Sequence, residues 1–196
     1  MVSEINDGKF HMIPVGYMAK KVAQRPDWLK APNVKDIYSV SNCVSDNFMD
    51  YIKLWHHNGY WLFDHPKIIQ ELAHENNMDV KDLTFFYYEA YEKEFDEELR
   101  QWLSFEPSHL ATKITRPTRR EFHGFDIVTF SGGTNPECSP LSCNHLASEI
   151  KTNAHCLLES FEEAKQSLEL GKFDNSEPGP FRIFAVYTIE PDHRVD

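Results

Sequence analysis

No uninterrupted apolar stretch in this chain approaches the length needed to cross a bilayer. The opening residues, Met1-Val2-Ser3-Glu4-Ile5-Asn6-Asp7, carry neither the basic nor the apolar segment of a secretory signal. A cytoplasmic protein with no membrane partner is expected. There is no Asn-x-Ser/Thr acceptor, and the four cysteines are spaced too unevenly for a small secreted disulfide framework. Free thiols are therefore expected. Basic residues are in deficit, 20 Lys and Arg against 31 Asp and Glu, and the resulting net charge of −11 repels phosphate, which makes nucleic acid an improbable partner. The local exception is Lys113, Arg116, Arg119 and Arg120 beside Pro117, where arginine suits bidentate capture of phosphate or carboxylate but a solvated connector is the plainer reading.

What is present is a core. With 196 residues, 41% of them hydrophobic and 13% aromatic, the chain is long enough and apolar enough for one domain spanning 1–196. The most informative pattern is an apparent duplication. Asp36-Ile37-Tyr38-Ser39-Val40-Ser41 is answered by Asp126-Ile127-Val128-Thr129-Phe130-Ser131, and Cys43 by Cys138. Asn58-Gly59-Tyr60-Trp61-Leu62-Phe63-Asp64 is answered by Asn153-Ala154-His155-Cys156-Leu157-Leu158-Glu159, and an apolar run closes each copy. Strand, cysteine, helix, short apolar run, cap, helix and strand recur in one order. The expected fold is accordingly α/β, with α+β as the alternative: two pseudo-repeated β-α-β-α-β-like units, about 35–92 and 125–190 with a connector at about 105–123, forming a mixed sheet flanked by helices.

Individual elements follow from local signals. His11 to Tyr17 has strand character with Pro14 marking an edge. Ser45-Asp46-Asn47 offers caps for a helix through Met49, Ile52, Leu54 and Trp55. Asp64 is read as the cap of a helix carrying Ile68, Ile69, Leu72 and Ala73. Leu83 to Tyr88 is apolar on both alternating faces, as in a strand covered on both sides, and the strand is expected to run to about Glu92 before a helix through Phe95, Leu99 and Leu103. Ser160 caps a helix through Leu170 that Gly171 ends, and Phe181 to Ile189 is a closing strand.

In such a fold, ligands gather at strand ends and the junction between copies is where a pocket is expected. The candidate ligand-binding residues are Ser41, Cys43, Asp46, Ser131, Gly132 and Gly133, the glycines being able to turn backbone N–H groups toward an anion, although no Gly-Lys-Ser/Thr of a P-loop follows. The candidate catalytic residues are Cys138, Cys143 and His145, because a thiol and an imidazole are the minimum for a nucleophile with its base. No cofactor and no metal ligand are expected. Zinc is the alternative, Cys138 and Cys143 being joined by His145 or His155, but a second Cys-x2-Cys pair is missing. Two functions follow: an enzyme or small-molecule-binding protein with a Ser/Cys/His-lined pocket at the junction, or a non-catalytic inhibitor or immunity-type module whose acidic run Glu92, Glu94, Asp96, Glu97 and Glu98 engages a basic protein partner.

Overall fold

The computed structural model describes residues 10–51, 58–104, 114–130 and 138–190. In chain order the strands are β1 (Met12–Lys21), β2 (Ala23–Gln24), β3 (Asp36–Ile37), β4 (Asp46–Asn47), β5 (Thr84–Asp96), β6 (Gln101–Ser104), β7 (Glu121–Thr129) and β8 (Phe181–Thr188). The α-helices are α1 (Pro66–Glu75), α2 (Pro140–Cys143) and α3 (Phe161–Glu169). The main sheet has six strands in the order β4-β1-β5-β8-β7, with β6 folded back on the far end of β5. Every pairing in it is antiparallel, and the sheet is curled.

This overturns the α/β expectation. The chain is mainly antiparallel sheet with few helices, and it does not build two β-α-β-α-β units with a mixed sheet between flanking helices. The misreading has a physical cause. A strand buried on both faces reads as a continuous apolar run whatever covers it, and nearly all of β5 from Phe85 to Tyr91 is buried.

Register assigns the two faces. Tyr17, Tyr87 and Tyr187 stand opposite one another on one face, where Phe161 of α3 packs on Phe10, Tyr91 and Phe125 and His65 before α1 lies against Tyr17. Met18, Phe86, Phe184 and Asp126 point to the other face. That side is closed by irregular chain, with Tyr38 edge-on to Phe86 and Tyr60 edge-on to Phe184. The supposed copies 36–41 and 126–131 are thus not equivalent. Asp36–Ile37 is β3, paired with β2, whereas Asp126 to Thr129 lies in β7, and the two segments touch through the Val40 N–H and the Asp126 carboxylate.

Other elements also depart from expectation. The strand β5 continues to Asp96 and turns into β6, so there is no helix through Phe95 and Leu99. A 3-10 turn, Phe48–Tyr51, begins where a longer helix was expected, and residues 52–57 lie outside the described residues. The cap of α1 is His65, whose Nδ1 accepts the Lys67 N–H, because Asp64 is engaged by the Asn58 amide at 3.2 Å. By contrast α3 with its Ser160 cap, and β8, lie where the sequence places them. No helix among the described residues is long and apolar enough to cross a membrane.

One local device occurs at both ends of the sheet. The strands β1 and β7 each bulge at a glycine of positive φ, Gly16 at 137° and Gly124 at 139°. Against each bulge sits an asparagine loop. Asn58 donates to the Val15 carbonyl at 2.8 Å and accepts from the N–H groups of Tyr60 and Leu62. Asn153 donates to the His123 carbonyl at 2.6 Å and accepts from His155 and Leu157. Each loop then forms one bridge to its strand, Phe63 with Tyr17 and Leu158 with Phe125, before feeding α1 or α3. A side chain at either bulge would collide: a Cβ on Gly124 would lie 2.6 Å from the Leu158 carbonyl oxygen and 2.9 Å from the Leu157 Cβ. Gly124→Ala is expected to cost at least about 2 kcal/mol in urea denaturation, combining the conformational penalty with displacement of the loop. An unchanged midpoint would show that the bulge does not lock the loop.

Candidate functional site

The irregular cover between Tyr38 and Val44 carries backbone carbonyls into the protein, where each needs a donor. Lys20, at the end of β1, supplies them. Its side chain is fully buried, and its ammonium donates to the carbonyl oxygens of Ser39, Val40 at 2.8 Å and Ser41 at 2.9 Å. An ammonium has three N–H groups, so this collar uses all of them. The other anchor is Asp126 on β7, whose Oδ2 accepts the Val40 N–H at 2.8 Å and the Ser139 hydroxyl at 2.6 Å. Ser139 in turn accepts the Ser41 N–H at 3.2 Å. The strap 39–41 is therefore pinned from both sides.

Those anchors set three sulfurs together. Cys138 is tied to the end of β7, its carbonyl accepting the Thr129 N–H at 2.9 Å. The single turn of α2 follows, Cys143 donating its N–H to the Ser139 carbonyl, so that a Cys-x4-Cys spacing folds into proximity. Cys43 arrives from the strap. The Sγ atoms of Cys43, Cys138 and Cys143 all lie within 4.8 Å of one another. Cys138 is buried, Cys143 half-buried and Cys43 exposed, so the group opens to solvent at Cys43. Around it, Cys138 Sγ donates to Asn144 Oδ1 at 3.3 Å, and the Ser41 hydroxyl lies 3.6 Å from Cys143 Sγ.

The sulfurs are electrostatically unequal. Hydrogen bonds from the Cys138 and Cys143 thiols, with smaller help from Ser41 and the Lys20 charge, hold Cys43 below the ordinary thiol range despite the cost of partial burial. Cys138 moves up, because its hydrogen bonds to Cys143 and Cys43 hold its proton and burial adds to them. Cys143 also lies above the usual value: the Cys138 hydrogen bond lowers it, and the one to Cys43 and burial more than compensate. Cys156 stands apart from the group, buried and pushed up by that burial. Asp126 is pushed up to about 7 by complete burial, against the hydrogen bonds from Ser139 and Val40. Its Oδ1 has no hydrogen-bond partner among the described residues.

Of the residues singled out in the sequence, the structure brings together Ser41, Cys43, Cys138 and Cys143. His145 does not join them. It is exposed in a left-handed conformation with its ring 4.5 Å from that of Trp28. His155 Nδ1 is 2.6 Å from Asp36 Oδ1, and its ring stacks on Tyr38. Asp46 is exposed on β4 opposite Lys21, while Ser131, Gly132 and Gly133 lie outside the described residues. The acidic run is largely engaged within the fold. Glu92 meets His11, Glu94 meets Arg182, Asp96 accepts the Leu99 N–H and Glu97 the Gly179 N–H. In the basic stretch Arg116 holds the buried Glu89 at 2.7 Å and Arg120 covers the Tyr187 ring. Lys113 lies outside the described residues.

Comparison with protein-family models, curated proteins and solved structures finds no match.

Sequence reasoning missed Lys20, Asp126, Ser139 and Asn144. For Asp126 a signal exists: a carboxylate inside the apolar run Phe125-Asp126-Ile127-Val128. Lys20 gives none, since a lysine near a strand end is ordinarily solvated. The fold retains the Asp126 proton up to about pH 7, whereas a free aspartate releases it near 3.8. Its contribution to stability is thus complete below about pH 4 and is lost as pH rises through 7. Asp126→Asn is expected to remove this decline, the two proteins diverging by at most about 4 kcal/mol across that window. Urea midpoints measured from pH 4 to 8 check it, and parallel profiles would refute it.

Proposed function

We propose that this protein performs thiol chemistry on a small molecule, with Cys43 as the attacking group and the neighbouring cysteines as its partners. One observation carries the reading: three sulfurs converge within 4.8 Å and one of them faces solvent. A nucleophile of the Cys-His kind has little support, since His145 rests on Trp28 instead of a thiol. What surrounds Cys43 is more thiol, and that arrangement suits exchange with a disulfide.

The reaction balances with the groups in place. The Cys43 thiolate attacks one sulfur of a low-molecular-weight disulfide, RSSR, forming a Cys43–S–S–R bond and releasing RS⁻. Cys143, the half-buried neighbour, then attacks the Cys43 sulfur; a Cys43–Cys143 disulfide forms, the second RS⁻ leaves, and the Cys143 proton passes to solvent or to that thiolate. The substrate disulfide is reduced by two electrons and the cysteine pair is oxidised by two. An external thiol restores the pair by the reverse exchange. The Ser41 hydroxyl and the Lys20 ammonium favour negative charge at the sulfurs, and the pinned strap holds Cys43 in reach of Cys143.

The test uses reduced protein in the presence of a chelator and an aromatic disulfide reagent. Wild type is expected to show a fast phase ending, by mass spectrometry, in an internal disulfide that includes Cys43 and carries no adduct. Cys43→Ser is expected to lose that phase. Equal and slow reaction of all four cysteines, or a fast phase that persists in Cys43→Ser, would overturn the reading.

A further inference from the structure

We infer that Cys43, Cys138 and Cys143 form a binding site for a thiophilic metal ion, Zn²⁺ being the ion their geometry fits. The inference goes beyond exchange chemistry and does not rest on it, because it needs only that the three sulfurs converge. Zinc-thiolate bonds of about 2.3 Å in a tetrahedron place sulfurs about 3.8 Å apart. The Sγ atoms here are at most 4.8 Å apart, so adjustments on the order of 1 Å or less close them around an ion. An all-sulfur set selects zinc or monovalent copper over magnesium or calcium, which require oxygen.

The surroundings suit the charge that results. Binding releases the remaining thiol protons and joins three thiolates to a dication, leaving one net negative charge on the centre. The buried Lys20 ammonium, fixed by its three carbonyls, lies on the protein side to offset it. An outer donor is in place as well, the Ser41 hydroxyl 3.6 Å from Cys143 Sγ. The backbone of Cys138 and Cys143 is held by the Thr129–Cys138 pair and the α2 turn. Neither His145 nor His155 belongs to the set, so the described residues supply three ligands, with the exposed Cys43 on the solvent side of the group. An ion there would engage the same sulfurs as disulfide exchange, so metal occupancy would suppress that exchange.

Fully reduced whole protein, freed of metal, is titrated with Zn²⁺ in competition with a chromophoric chelator and separately with Co²⁺. One Zn²⁺ per chain is expected, with a thiolate-to-cobalt charge-transfer band in the near ultraviolet. Cys43→Ser, at an exposed position, is expected to weaken Zn²⁺ binding at least about tenfold and to reduce that band while leaving the circular dichroism spectrum unchanged. Cys156→Ser, outside the group, is expected to change neither. Failure to bind stoichiometric Zn²⁺, binding unaltered by Cys43→Ser, or a cobalt spectrum without the thiolate band would each overturn the inference. The disulfide-exchange experiment is run in chelator, so the two readings fail independently.

Discussion

Burying the Lys20 ammonium without partners would cost several kcal/mol, and burying the carbonyls of Ser39, Val40 and Ser41 without donors would add to that cost. Placed together, the two costs cancel in large part: three N–H groups meet three carbonyl oxygens. This collar permits a non-helical, non-strand segment to cover the sheet, and Cys43 follows directly from it. Asp126 secures the opposite side of the same segment through Val40 and Ser139. The sulfur group therefore rests on two buried ionisable residues, Lys20 and Asp126, that pin the strap leading to it.

The sheet supplies the stiffness these contacts require. With β5 and β8 at its centre, Lys20 and Asp126 stand on different strands yet on one face, separated by Phe86, Tyr88 and Phe184. At each end a bulged glycine admits an asparagine loop so close that no side chain fits between. These loops fix where the helices begin, and α1 and α3 then cover the opposite face. One side of the sheet is thus closed by ordinary helix packing and the other by polar anchoring of irregular chain. The second kind of cover is what leaves thiols at the surface of an otherwise apolar layer.

Chemically, the three sulfurs support two uses that depend on the same proximity. Exchange needs one sulfur to attack and another to resolve, and coordination needs all three to point at one ion. Exposure separates their roles: Cys43 meets solvent while Cys138 is held inside by Asn144. The acidic run, by contrast, spends much of its charge on Arg182, His11 and backbone N–H groups of its own chain.

The sequence by itself determined the local elements whose signals are short-range: the Ser160-capped helix, the closing strand from Phe181, the doubly buried strand after Leu83, and the likeness of the Asn58 and Asn153 loops. It also brought Cys43, Cys138 and Cys143 forward as chemistry-bearing residues. Only the tertiary structure decided strand direction, the equivalence or otherwise of 36–41 and 126–131, and the company each thiol keeps. The reason is that apolar periodicity records whether a face is buried, not what buries it or which strand lies alongside. His145 follows Cys143 by two residues yet turns to Trp28, while Lys20 and Asp126, far apart in the chain, meet the strap from opposite sides. Such long-range polar pairing leaves no trace in spacing, because it is fixed by the register of the sheet.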